Sequence, residues 1–102
     1  MFLFSPKGDP EGYPLKWFKF MGLQEINEPI QVATLFKDGK ITPLKFLWQN
    51  REFWIKKVNL AYHHFEGRTK IYYFAVSDNS NYFKLQFDSN SLNWTLLETY
   101  VE

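Results

Sequence analysis

From residue 29 onward, apolar and polar positions follow a period of two, the spacing of a half-buried β-strand. Ile30, Val32, Thr34 and Phe36 alternate with Gln31, Ala33 and Leu35. Asp38-Gly39 follows, a hairpin signal because both turn positions need positive φ. Leu44, Phe46 and Trp48 alternate with Lys45 and Leu47, and Pro43 marks an edge or a strand end. Gln49-Asn50 makes the next turn. A long strand is expected from Arg51 to about His64. Phe53 and Ile55 hold one phase there, and Val58, Leu60 and Tyr62 hold the other. The slip at Lys56-Lys57 predicts a bulge or a sharp bend. Gly67 turns the chain into an aromatic strand from Lys70 to Ser77. After the turn Asp78–Asn81, Phe83, Leu85 and Phe87 alternate with Tyr82, Lys84 and Gln86. Asp88–Ser91 is another turn, and Leu92–Val101 closes the chain with Trp94 and Leu96 in register.

The pattern predicts an all-β domain, an antiparallel meander of about six strands curled into a half-barrel or small barrel. Segments of helical length are missing, so a parallel sheet is excluded. The first residues differ. Pro6, Gly8, Pro10, Gly12 and Pro14 mark a loop. Leu15 to Leu23 reads as a short amphipathic helix or an extended docking strand, and nine residues do not separate the two. Residues 1–27 are therefore expected as a Pro/Gly-rich arm and residues 28–102 as the domain. Met21 offers an alternative start.

Composition sharpens the picture in two ways. The 102 residues fit one core, and 11 Phe, 6 Tyr and 4 Trp supply unusual material for it. The absence of cysteine excludes disulfides, thiolate metal sites and a Cys nucleophile. It also favours a reducing, cytoplasmic setting. Met1-Phe2-Leu3-Phe4-Ser5-Pro6 has no basic lead-in and does not read as a secretory signal. The longest clean apolar run, Ile71–Val76, falls far short of the roughly 20 residues of a membrane helix, so no membrane insertion is expected. The formal charge of +1 is uneven: residues 1–36 carry −1, residues 37–70 carry +5 and residues 71–102 carry −3. A basic face is one consequence. Mutual neutralisation across an antiparallel meander is the other.

Catalytic chemistry finds little footing. His63 and His64 are strand neighbours and point to opposite faces, so they do not share a metal easily. The Asx-rich turns at 78–81 and 88–91 lack the ladder, glycine and glutamate of a calcium loop. No nucleophile elbow and no phosphate-binding glycine loop is present. The chain is expected not to be an enzyme, with no metal site and no cofactor. The run from Lys45 to Lys57 stands out instead, because aromatics there interleave with cations. Bases stack on aromatic faces while Lys and Arg meet phosphates, a combination suited to single-stranded nucleic acid. Lys45, Arg51, Trp54, Lys56 and Lys57 are the candidate nucleic-acid-binding residues. Lys45, Arg51, Trp54 and Lys56 would share an exposed face, while Trp48, Phe53 and Ile55 look inward. The alternative is a protein-interaction or self-association module using exposed aromatics, with Trp17, Phe18 and Phe20 of the arm as its candidates. Oligomeric state stays open.

Residues 29–101 resemble a group of uncharacterised small bacterial proteins encoded near Y-family DNA polymerases. Gly39, Pro43, Phe46, Trp48, Arg51, Ile55, Val58, Trp94 and Leu96 carry the resemblance. It implies no catalytic residue. It tilts the expected partner toward single-stranded nucleic acid or a DNA-repair protein.

Overall fold

A computed structural model describes residues 23–101. It is all-β among those residues. The strands are β1 (Leu23–Lys37), β2 (Lys40–Trp48), β3 (Arg51–Trp54), β4 (Lys57–Glu66), β5 (Thr69–Ser77), β6 (Asn81–Asp88) and β7 (Asn93–Val101). They form one curled sheet, a half-barrel, in the order β3-β2-β1-β7-β6-β5-β4. Every neighbouring pair is antiparallel. β1 starts ahead of residue 28, so Leu23–Asn27 belong to the sheet rather than to the arm.

The turns follow from local chemistry. Asp38 and Gly39 both take positive φ, 53° and 76°, as the two-residue hairpin requires. Gln49 and Asn50 do the same between β2 and β3, at 54° and 61°. Asparagine tolerates that region well, whereas glutamine carries the cost of a Cβ there. The carboxylates of Asp78 and Asp88 fold their own turns. Asp78 Oδ1 accepts from the backbone N–H groups of Ser80 and Asn81, and Asp88 Oδ1 from those of Asn90 and Ser91. Both carboxylates thus act as Asx-turn acceptors.

Two features curl the sheet. β1 changes partner along its length. Leu23–Ile30 pair with β7, and Gln31–Lys37 pair with β2. A register slip between Glu25 and Glu28, with Asn27 at φ 53°, bends the first half. The second feature is the link Ile55-Lys56. Ile55 N–H donates to Leu44 O and Lys56 N–H to Ser77 O, each at 2.9 Å. The link therefore ties the β2 side of the sheet to β5 and draws the two edges together at one end. The single strand expected over Arg51–His64 is thus two strands, on opposite edges. The phase change of Val58 relative to Leu60 comes from a further slip that leaves Asn59 out of register.

The core lies on the concave face. Phe46 and Phe53 stack at 5.2 Å, and Phe83 meets both edge-on at 4.9 and 5.3 Å. β6 and β2 are separated in the sheet by β1 and β7, so Phe83 closes the fold across the hollow. Phe74, Phe87 and Trp94 form the second nest, with Phe87 and Trp94 4.8 Å apart. Leu85, Leu96 and Val76 are almost fully buried and complete the same core. Pro43 is buried in the half of β2 that has no β3 partner, where a missing N–H breaks no ladder bond with that strand.

Candidate functional site

The basic and aromatic residues at 45–57 divide between the faces of β2 and β3. Lys45 pairs with Trp54 across the two strands, and its ammonium lies 4.7 Å above the indole. The same ammonium is 3.3 Å from Glu52 Oε2. Trp54 is 57% exposed. Arg51 stands on the other face, because strand alternation sets it in phase with Phe53 rather than Trp54. Its guanidinium covers the Phe53 ring at 4.9 Å. Arg51 is therefore separated from the face that the expected grouping gave it. Lys56 and Lys57 are exposed at the link to β4. Trp48 and Ile55 are half-buried against the core, and Phe53 is buried. Trp48 Nε1–H donates to Glu28 Oε1 at 3.0 Å. Trp17, Phe18 and Phe20 lie outside the described residues.

The opposite edge has another character. Every residue of β4 is exposed. Its pairing with β5 sets Lys57, Leu60, Tyr62, His64 and Glu66 on the convex face, opposite Ser77, Ala75, Tyr73, Ile71 and Thr69. Ala61, His63 and Phe65 take the other face, opposite Phe74, Tyr72 and Lys70. Leu60 is 56% exposed and Phe65 61%. Val58 to Phe65 carries no Asp, Glu, Lys or Arg.

On the convex face the rings are already ordered. Tyr62 and Tyr73 stack at 5.0 Å, and His64 stacks on Tyr73 at 5.2 Å. Lys84 of β6 lies 5.8 Å from the Tyr73 ring and 6.0 Å from that of Tyr62. His64 Nε2 is 3.4 Å from Glu66 Oε2. Partial burial holds the Tyr73 phenol above the usual tyrosine range; Glu66 and Tyr62 add to the shift and Lys84 opposes it. His63 turns away from this group and meets Tyr72 at 5.8 Å and Phe65 at 6.0 Å. The two histidines thus occupy opposite faces.

Two shallow grooves flank β1. One runs between Glu28–Gln31 and Leu47–Asn50, and the other between Ile30–Phe36 and Leu92–Trp94. Neither gathers an acid with a base. Among the described residues no group of three or more His, Cys, Asp or Glu side chains is placed to hold a metal ion. No helix among them is long and apolar enough to cross a membrane.

Sequence alternation finds the shared phase of Leu60 and Tyr62, but it wrongly sets Val58 with them, because the slip at Asn59 turns Val58 to the other face, and it does not show the exposure of β4. Leu60, Tyr62, His64 and Phe65 read as a strand with apolar residues on both faces, the signature of an interior strand. The one signal in the sequence is the absence of formal charge from Val58 to Phe65. No family model, no curated protein and no solved structure matches this chain.

Proposed function

We propose that this chain is a non-enzymatic binding domain whose docking element for protein is the edge strand β4. The observation that carries this reading is a ten-residue edge strand exposed throughout, with a charge-free centre. An edge strand offers a row of unpaired N–H and C=O groups to an incoming strand. Natural edges of that length usually hold a lysine, a proline or inward charges that prevent pairing. The stacked Tyr62, Tyr73 and His64 rings add a preordered apolar surface beside the edge, which lowers the entropy lost on docking. A cytoplasmic setting fits a chain without cysteine.

The test is a photo-crosslinking amino acid placed at Tyr62, and in a second variant at Glu52 on β3, in the full chain expressed in cells. Protein adducts at position 62 and none at position 52 are expected. Equal adducts at both positions, or none at 62, overturn the reading.

A second reading rests on Trp54. Its exposed indole lies on the side of the chain that leads into Lys56 and Lys57, and it supports binding of single-stranded nucleic acid by stacking and phosphate attraction. Glu52 beside Lys45 weighs against it. Fluorescence titration with single-stranded DNA and RNA at two salt concentrations decides. Salt-sensitive quenching that vanishes in Trp54→Ala supports nucleic-acid binding, and no quenching at low salt removes it.

A further inference from the structure

Resting on the docking role of β4, we propose that the strand it accepts is β4 of a second copy of this chain, paired antiparallel. Such pairing joins two half-barrels into one continuous sheet. It requires a two-fold axis normal to the sheet, the isologous arrangement of most homodimers. That axis keeps each face on its own side. Leu60, Tyr62 and His64 meet their equivalents on the convex face, and Ala61, His63 and Phe65 meet theirs on the concave face.

Charge selects this occupant and this direction. The convex row begins with Lys57 and ends with Glu66, and the slip at Asn59 is what keeps both on the same face. In an antiparallel pair the Lys57 end of one copy lies beside the Glu66 end of the other. In a parallel pair Lys57 would lie beside Lys57. Between the ends no formal charge opposes contact, because Val58 to Phe65 has none. Apolar and aromatic groups meet groups of the same kind on both faces, so the edge is complementary to itself. The other edge lacks these properties. β3 has four residues, begins with Arg51-Glu52, and has Lys45 folded over Trp54 beside it.

The chain has no cysteine, so a single introduced thiol reports its own neighbours without interference. Single cysteines are placed in turn at Leu60, Ala61, Tyr62, His63 and His64 of the full chain, with Glu52→Cys as the β3 comparison. Directly opposed residues in antiparallel strands lie about 4.5–5.5 Å apart, within disulfide reach. Mild oxidation is expected to give covalent dimer at one position on the axis, with yields falling on both sides of it, and none at Glu52→Cys. Sedimentation of the unmodified chain is expected to show concentration-dependent dimer. Tyr62→Lys and His63→Lys, each folded by tryptophan fluorescence, are expected to weaken it about tenfold or more: with Lys57 beside Glu66, Lys at 62 faces its own equivalent, and Lys at 63 places a charge against Ala61 of the other copy. A single monomer mass at about 100 µM, where even a Kd of ~10 µM would give mostly dimer, overturns the second copy. A dimer unaffected by both substitutions overturns it as well. If the chain is monomeric while position 62 still captures another protein, β4 remains a docking edge and only its occupant is wrong. If both fail, both readings fall.

Discussion

The two edges of one sheet have been built by opposite rules. β3 is four residues long, carries Arg51 and Glu52, and sends Phe53 into the core against Phe46 and Phe83. β4 is ten residues long, free of formal charge over Val58–Phe65, and contributes no buried side chain. The first edge is short and charged, which discourages pairing, and it contributes to stability. Of the usual protections the second keeps only Lys57 and the slip near its start. Leu60, Tyr62 and Phe65 stand exposed along it. Their placement fits the docking surface proposed for β4.

The two edges differ most in what they contribute to stability. Phe53→Ala removes a buried ring that touches Phe46, Phe83 and Trp48. Its expected cost in urea denaturation is about 3–5 kcal/mol, a large share of a small domain's stability. Phe65→Ala on β4 is expected to cost less than about 1 kcal/mol in the same measurement, because the ring is already in water. Equal costs at the two positions would refute the contrast between the edges.

Association is the next largest effect. Leu60→Lys together with Phe65→Lys guards β4 with charge, as many natural edges are guarded. The double variant is expected to keep the denaturation midpoint of the monomer, measured at protein concentrations too low for dimer, and to lose protein adducts or dimer by about tenfold or more, or roughly 1.4 kcal/mol. Retained association with β4 guarded would move the docking surface elsewhere.

Smaller effects belong to β3. Gln49 sits at φ 54° in the turn that delivers β3 to β2. Gln49→Gly relieves the Cβ strain but adds chain entropy to the unfolded state, and a net gain of about 0.5 kcal/mol is expected by urea denaturation. Destabilisation would mean that the glutamine side chain holds the turn by a contact of its own. Glu52→Gln is expected to change stability by less than about 0.5 kcal/mol, since the Lys45–Glu52 pair is solvent-exposed. If Trp54 does stack on nucleic acid, the same substitution raises affinity at low salt by releasing Lys45. Unchanged or weaker binding would count against that face.

Much of the fold is legible in the chain because its causes are local. Asp38-Gly39 needs two positive φ values, and the strands on either side need only alternate. Phe83, Leu85 and Phe87 fall on one face by period alone, as do Trp94 and Leu96 within β7. The candidate surfaces are less legible. Arg51 and Trp54 are three residues apart, so alternation already sets them on opposite faces once both lie in one strand. Interleaved cations and rings do not show that by themselves. Lys45 is drawn to Glu52 and Trp54 by cross-strand neighbours that only the register identifies.

The chain alone sets most of the strands, their turns and their faces, since φ preferences and period-two alternation act over a few residues, but not the division of Arg51–His64 into two strands or the face of Val58. It also determined that Val58–Phe65 would carry no formal charge. Only the tertiary structure decided that this segment lies on an edge. That outcome depends on β1 exchanging β7 for β2 midway, and on Ile55-Lys56 carrying the chain from one side of the half-barrel to the other. Both are matters of which strands find each other across long sequence separations. The same apolar alternation buries a strand in the middle of a sheet and exposes it at the margin, because burial depends on neighbours and not on the strand alone.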